Sequence, residues 1–103
     1  MANKGYASEY AARKILEKGR DPQSVVKTAI SQIGADYIVY SDDSNRIDMV
    51  VEVKCCHQKK KYYSQREKDQ LEHIKSWCVK RKVPFYIYIH YPKERRWHKE
   101  QVI

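Results

Sequence analysis

The stretch that decides the fold runs from Asp36 to Lys54 and reads DYIVYSDDSNRIDMVVEVK. It contains two runs of β-branched and aromatic residues, 37–40 and 47–54, separated by the turn-forming sequence 41–45. β-Branched and aromatic side chains favour strands, and a cluster of Ser, Asp and Asn favours a turn between them. The stretch is therefore predicted to form a β-hairpin.

The position of the loop sets the register of this hairpin. If the loop is centred on Ser44, residues equally distant from Ser44 face each other on the two strands. Tyr40 is then opposite Asp48, near the loop. Asp36 is opposite Glu52 at the open end of the hairpin, so two carboxylates are predicted to meet there.

The open end of the hairpin has the side chains needed to hydrolyse a phosphodiester with a metal ion. Glu52 and Lys54 are two residues apart on one strand and therefore share a face. Mg²⁺ prefers carboxylate and carbonyl oxygens and keeps several waters, so Asp36, Glu52 and the carbonyl of Val53 are candidate ligands. Lys54 is a candidate for orienting the attacking water or stabilising charge in the transition state.

Asp48 is an alternative first member of the acidic motif. It is four strand residues from Glu52, or roughly 13 Å at about 3.3 Å per residue, which is too far for the two to share an ion. Asp36, as a cross-strand neighbour, is favoured instead. Asp42 and Asp43 lie in the loop and are interpreted as turn-forming residues.

Length and charge limit the class of protein. The chain has 103 residues, which predicts a single domain over 1–103, and its net charge of +8 and pI of about 9.4 favour a polyanion such as nucleic acid as partner. The sequence has no apolar run near the roughly 20 residues that span a bilayer, and its N-terminus lacks the apolar core of a signal peptide. We therefore expect an intracellular protein that does not enter a membrane.

The three cysteines, Cys55, Cys56 and Cys78, form a poor disulfide framework and are interpreted as small core residues. A zinc site using Cys55, Cys56 and His57 is an alternative. It is disfavoured because the paired C-x-x-C spacings of such sites are missing.

Other patterns place helices and strands around the hairpin. A helix is predicted from about Tyr6 to Lys18, with Gly19 as its C-terminal stop and Ala7, Tyr10, Ala11 and Ile15 on one side. A short strand is predicted over 24–28, although Val25, Ala29 and Ile33 are spaced by four and also fit a helix that begins at Pro22.

The second half of the chain continues with a basic run, a helix and two strands. Lys59, Lys60 and Lys61 form either a solvated loop or a set of phosphate contacts. Ser64 with a glutamate three residues later predicts a helix to about residue 80 with Leu71, Ile74, Trp77 and Cys78 on its buried side. Strands are predicted over 85–89 and 97–103.

The predicted order is helix, strand, strand, strand, helix, strand, strand. This order suits one mixed sheet with the helices packed against it, which is an α/β or mixed α+β fold.

At Gly34-Ala35-Asp36 and Glu52-Val53-Lys54 the sequence resembles the PD-(D/E)xK nuclease superfamily, and more closely the archaeal-type Holliday junction resolvases. The resemblance covers most of the chain. Its further elements are Lys4-Gly5, Glu9 on the first helix, residues 25–29 and Ser31, the hairpin, Tyr63 with the helix after it, and the final strands.

The resemblance implies a restriction-endonuclease-like mixed sheet flanked by helices. It implies that Glu9 joins Asp36 and Glu52 at a Mg²⁺ site, directly or through water, with Mn²⁺ as a substitute. It also implies a homodimer that resolves four-way DNA junctions by paired symmetric nicks, in an archaeal cell or a cell infected by an archaeal virus. The family commonly has arginines where this chain has Tyr10 and Lys27.

The predicted DNA contacts combine the basic run with positions matched to the family. They are Lys4, Lys27, Ser31, Lys59, Lys60 and Lys61. Two alternative functions are a related nuclease of the same superfamily that acts on duplex, flap or nicked DNA, and a non-catalytic DNA-binding module in which the carboxylates are structural. The second alternative predicts salt-sensitive binding without metal-dependent cutting.

Overall fold

A computed structural model describes residues 4–28, 35–42 and 45–103, with side chains from residue 7 onward. The predicted order of elements is confirmed. The helices and strands are α1 (Lys4–Glu17), β1 (Val25–Lys27), β2 (Tyr37–Tyr40), β3 (Ile47–Cys55), α2 (Gln65–Arg81), β4 (Phe85–Tyr91) and β5 (Arg96–Gln101). The five strands form one sheet in the order β1-β2-β3-β4-β5, in which β3 and β4 are parallel and all other neighbours are antiparallel. The fold is therefore mixed α+β, as predicted.

The hairpin of β2 and β3 has the predicted register over most of its length, because Tyr37 pairs with Val51 and Val39 with Met49. The prediction is wrong next to the loop, where Tyr40 pairs with Ile47 instead of Asp48. The register shifts after Val39 and leaves one extra residue on β3, as in a β-bulge. The shift lies at the loop end and leaves the open end of the hairpin in register.

The two helices cover opposite faces of the sheet. Ile74 and Cys78 of α2 pack on one face, in a core that includes Val50 and the inward side chains of β4. Ala12 and Leu16 of α1 pack on the other face, in a core that includes Val51 and Val53. Since side chains alternate along a strand, Val50 shares its face with Glu52 and Lys54, so these two residues point toward the α2 layer.

The buried side of α1 differs from the predicted one. Tyr10 is 54% exposed, whereas Ser8, Ala12 and Leu16 are buried. The sequence does not predict this buried face, because Ser8 is polar and would be expected at the surface. Ser8 can be buried because its hydroxyl forms a hydrogen bond of 2.9 Å with Nδ1 of His90. The predicted stop is confirmed at Gly19, which has a φ of 76°.

After α1 the strand interpretation is confirmed. A short 3₁₀ turn at Pro22–Ser24 leads into β1. The remaining part of the alternative helix, residues 29–34, lies outside the described residues. Among the described residues, no helix is long and apolar enough to cross a membrane.

The predicted capping box of α2 is present. Ser64 Oγ accepts a hydrogen bond of 3.2 Å from the Glu67 N–H, and the Glu67 carboxylate accepts one of 3.1 Å from the Ser64 N–H. The helix ends at Lys82, whose φ of 56° is left-handed. The cysteine interpretation is confirmed for Cys56 and Cys78, which are buried.

Replacing Ser64 by alanine is expected to lower the free energy of unfolding by about 1 kcal/mol, because the Glu67 N–H then loses its acceptor. Urea unfolding followed by circular dichroism measures this change. Ser76→Ala is the matched control, since Ser76 is exposed in the middle of the same helix and its replacement should cost nothing measurable. Equal effects of the two substitutions would contradict the capping role.

Candidate functional site

Asp36 is held at the open end of the hairpin by its backbone and its side chain. Its N–H donates to the Val51 carbonyl at 3.2 Å, and its carbonyl accepts from the Thr28 N–H at 2.9 Å. Its Oδ2 accepts a hydrogen bond of 2.7 Å from the Val53 N–H. The register of β2 and β3, continued by one residue, places Asp36 beside Glu52, close enough for the Glu52 charge to raise the pKa of Asp36. The predicted meeting of two carboxylates is confirmed.

Glu52 is a buried acid with an incomplete set of partners. It is 3% exposed, and its Oε2 lies 3.0 Å from Nζ of Lys54. Its Oε1 is buried and has no hydrogen-bond partner among the residues that the structure describes. A buried polar atom without a partner is costly in a protein and is often explained by a catalytic role or by an ion. This oxygen is therefore a candidate for binding a ligand.

The environment of Asp36 makes its carboxyl a weak acid. Burial, and after it the nearby Glu52 carboxylate, raise the pKa of Asp36 to about 8, against the lowering effect of the Val53 N–H. The folded protein therefore holds this proton at pH values where the unfolded chain, with an ordinary pKa of 3.8, has lost it.

This difference predicts how stability depends on pH. Between about pH 4 and pH 8 the folded state binds the extra proton, so the free energy of unfolding should fall as pH rises, by up to about 1.4 kcal/mol per pH unit. Urea unfolding at several pH values, in a chelator, measures the slope, and Asp36→Asn should flatten it. Asp48→Asn is the matched control, because Asp48 is exposed. If Asp36→Asn left the slope of unfolding free energy against pH unchanged, the pH dependence would not come from the Asp36 carboxyl.

Lys54 is held by α2 as well as by its own strand. Its Nζ donates a hydrogen bond of 3.1 Å to Gln70 Oε1 and lies 3.6 Å from Glu67 Oε2. The same Glu67 oxygen is 3.0 Å from Nζ of Lys61. Burial alone would raise the pKa of Glu67, but the Ser64 N–H and then the two lysines outweigh it and lower that pKa to about 2. Glu67 is therefore an anion that links two lysines.

Sequence reasoning missed two of these contacts. It identified Glu67 as a helix cap on the same face as Leu71, Ile74 and Cys78, without a contact to Lys54, and did not single out Gln70. The signal that was available is their spacing, because residues three apart on a helix lie on the same side. The packing of α2 over the even-numbered residues of β3 is what brings that side to Lys54, and no local pattern contains this information.

Replacing Gln70 by leucine is expected to lower any cleavage rate by about tenfold, because the Lys54 ammonium loses the acceptor that fixes its direction. The free energy of unfolding should change by less than about 1 kcal/mol. Gln65→Leu is the matched control, since Gln65 is exposed on the same helix and bonds only Asp69 among the contacts described. Loss of activity in both variants would contradict a specific role for Gln70.

Glu9 has contacts of its own on the α1 side of the sheet. Its carboxylate pairs with Nζ of Lys27, and its carbonyl accepts a hydrogen bond of 3.0 Å from the Tyr37 hydroxyl. Tyr37 faces the α1 layer, whereas Glu52 faces the α2 layer. In the part of the chain that the structure describes, no three of the His, Cys, Asp and Glu side chains converge on a common metal position. Glu9 is near enough to Asp36 to raise its pKa, and its part in a metal site, direct or through water, stays a prediction.

The oxygen atoms of Asp36, Glu52 and the Val53 carbonyl are of the kind that a hard divalent cation prefers. Mg²⁺ is commonly bound by one or two carboxylates, with waters in its other positions. Asp36 and Glu52 are the candidate carboxylates, and Glu52 Oε1 has no hydrogen-bond partner among the described residues. The Val53 N–H points to Asp36, and in a strand the carbonyl of the same residue points to the same side. Three of the four predicted ligands, Asp36, Glu52 and the Val53 carbonyl, thus lie at the open end of the hairpin, and metal binding there stays a prediction.

The alternative zinc site gains no support. Cys55 Sγ lies 3.6 Å from His57 Nε2, but Cys56 Sγ contacts the Gln58 carbonyl at 3.5 Å instead. The two adjacent cysteines point to opposite faces of the strand end, so the three side chains do not form one ligand set.

The predicted DNA contacts have different environments. Lys59 and Lys60 are exposed in the loop between β3 and α2, while Lys61 is half-buried against Glu67. Lys27 is committed to Glu9 on the α1 side. The side chain of Lys4 and the whole of Ser31 lie outside the described residues, so both remain predictions.

Comparisons of the chain with protein-family models, with curated proteins and with solved structures found no match.

Proposed function

We propose that this chain is a Mg²⁺-dependent endonuclease that hydrolyses a phosphodiester bond of DNA at Asp36, Glu52 and Lys54. The observation that carries the proposal is the half-buried Asp36 beside the buried Glu52, which has one oxygen without a partner among the described residues and lies 3.0 Å from Nζ of Lys54. Burying two acids together costs folding free energy, since like charges repel and lose water. Such clusters of perturbed groups concentrate at functional sites.

Each residue has a role in this proposal. Asp36, Glu52 and the Val53 carbonyl would hold the ion, which when bound polarises the phosphate and an attacking water. Lys54 presents a fixed positive charge toward the phosphate, whose negative charge grows in the transition state. Its contacts with Glu52 and Gln70 orient it before the substrate arrives.

The proposed substrate is a four-way DNA junction, and Mn²⁺ is proposed as a substitute for Mg²⁺. The net charge of +8 and the exposed lysines in the loop next to the site favour a polyanion. The junction itself, an intracellular homodimer with two sites that nick symmetrically, and an archaeal or archaeal-virus source follow from the resemblance of the Asp36 and Glu52-Val53-Lys54 motifs to the archaeal-type resolvases.

The test compares a four-way junction with a linear duplex of identical sequence in Mg²⁺. We expect the junction to be cut at least about tenfold faster, with paired nicks in strands of like polarity. Equal cutting of both substrates would favour a related nuclease that acts on duplex, flap or nicked DNA. Binding that weakens with salt, without cutting in any divalent metal, would favour a non-catalytic DNA-binding module.

A further inference from the structure

The loop that joins β3 to α2 is tied to the candidate site. Lys61 in this loop and Lys54 in the site both contact Oε2 of Glu67, at 3.0 Å and 3.6 Å. The start of the loop is tied to β5, because the Arg96 guanidinium donates a hydrogen bond of 3.2 Å to the Lys59 carbonyl. Lys60 lies between these two ties and Tyr62 directly follows the second, so both residues flank the lysine that shares Glu67 with Lys54.

Tyr62 is the exposed aromatic residue of this loop. Its side chain is 71% exposed, more than any other large apolar side chain described as exposed. The Nζ of Lys60 lies 5.5 Å from the centre of its ring. Its neighbour Tyr63 is half-buried, and Nζ of Lys61 lies 5.4 Å from that ring. The loop thus packs one tyrosine into the protein and presents the other to solvent beside a lysine.

An exposed tyrosine next to lysines is suited to a nucleobase. Any base has a flat face that stacks on an aromatic ring, and a lysine beside the ring contacts the phosphate attached to that base. Bases within a duplex have both faces covered by their neighbours, so only an unpaired or unstacked base can reach the ring. The charge of the three-lysine run, 59–61, complements the phosphates.

We propose that Tyr62 and Lys60 form a stacking site for one unpaired base of a DNA strand, next to the phosphate at Lys54. This inference rests on the proposed function for the position of the phosphate, and it deepens that function by naming the DNA feature that is recognised. A duplex without unpaired bases lacks this contact, so the site favours branched or frayed DNA over linear duplex.

The test measures binding of a fluorescein-labelled ten-residue oligothymidine by anisotropy, in a chelator and at low salt. Tyr62→Leu should weaken binding by about tenfold, since leucine fills the space without a stacking face. Tyr62→Phe should bind within about twofold of the unmodified chain. Tyr10→Leu is the matched control. Tyr10 is also exposed, at 54%, and Nζ of Lys14 lies 5.2 Å from its ring, but it lies on α1 and not in the loop, so its replacement should leave binding unchanged.

Three results would overturn the inference. They are unchanged binding by Tyr62→Leu, an equal loss with Tyr62→Phe, and an equal loss with Tyr10→Leu. A 2-aminopurine base in the oligonucleotide gives a second measurement, since stacking on Tyr62 should quench its fluorescence and Tyr62→Leu should restore it. Neither measurement involves cleavage, so an inactive protein that still shows the Tyr62 effect refutes the nuclease proposal and leaves the base-binding site standing.

Discussion

Replacing Asp36 by asparagine is expected to lower the rate of metal-dependent cleavage by about 10³-fold. Asparagine keeps an oxygen that can accept the Val53 N–H, but it removes the negative charge that a divalent cation requires. A bound ion contributes several kcal/mol to the transition state, and about 4 kcal/mol corresponds to this change in rate. Single-turnover cleavage of a labelled junction in Mg²⁺ measures the effect.

The same substitution is expected to stabilise the folded protein. Above pH 8 the Asp36 carboxyl is ionised beside Glu52, because its pKa is raised to about 8 by burial and by the Glu52 charge. Asparagine removes this repulsion, so the free energy of unfolding at pH 9 should rise by about 1–3 kcal/mol. A variant that loses both activity and stability would indicate that Asp36 is a structural residue.

Replacing Lys54 by methionine should have the second large effect, in this case on stability and activity together. Glu52 is 3% exposed, and removing Lys54 leaves its carboxylate buried without the cation 3.0 Å away. Loss of one member of a buried ion pair typically costs about 3–5 kcal/mol. Cleavage should fall by about 10²-fold or more, because the fixed positive charge near the phosphate is gone. Urea unfolding and the junction assay measure the two effects.

A second substitution tests the cause of this instability. Adding Glu52→Gln to Lys54→Met removes the buried charge and should restore most of the lost free energy of unfolding, without restoring cleavage. Lys27→Met is the matched control, since the Lys27 side chain is 37% exposed and its ion pair with Glu9 should contribute no more than about 1 kcal/mol. If Lys54→Met and Lys27→Met were equally destabilising, Glu52 and Lys54 would not form the buried pair described above.

The hairpin and its acidic end were predictable from sequence because they follow from local rules. Alternating side chains place Glu52 and Lys54 on one face, and a loop centred on Ser44 places Asp36 opposite Glu52. The same argument fails at Tyr40, where a bulge inserts one residue into β3. A bulge depends on the backbone geometry of the loop and leaves no mark in the pattern of apolar residues.

The parts of the site that were not predicted depend on how distant elements pack. Gln70 reaches Lys54 only because α2 lies over one face of the sheet. Glu9 pairs with Lys27 because α1 lies over the other face. The burial of Ser8 depends on His90, which is 82 positions away in the sequence. Helix periodicity cannot reveal such contacts, since it orders residues within one element and contains no information about its neighbour.

The candidate site combines features that lower the stability of the folded protein. Two adjacent acids, one with an oxygen that has no partner among the described residues, cost free energy in the folded state, and the raised pKa of Asp36 reflects part of that cost. Activity that requires such an arrangement commonly opposes stability. Asp36→Asn is therefore expected to lower the cleavage rate and to raise the free energy of unfolding.

The most direct measurement is cleavage of a labelled four-way junction by the unmodified chain in Mg²⁺, in Ca²⁺ and in a chelator, with Asp36→Asn as the control. The account predicts strand cutting in Mg²⁺, binding with little cutting in Ca²⁺, and no cutting in the chelator or by the variant. Cutting that continues in the chelator, or that Asp36→Asn leaves unchanged in Mg²⁺, would contradict metal-dependent hydrolysis at Asp36 and Glu52.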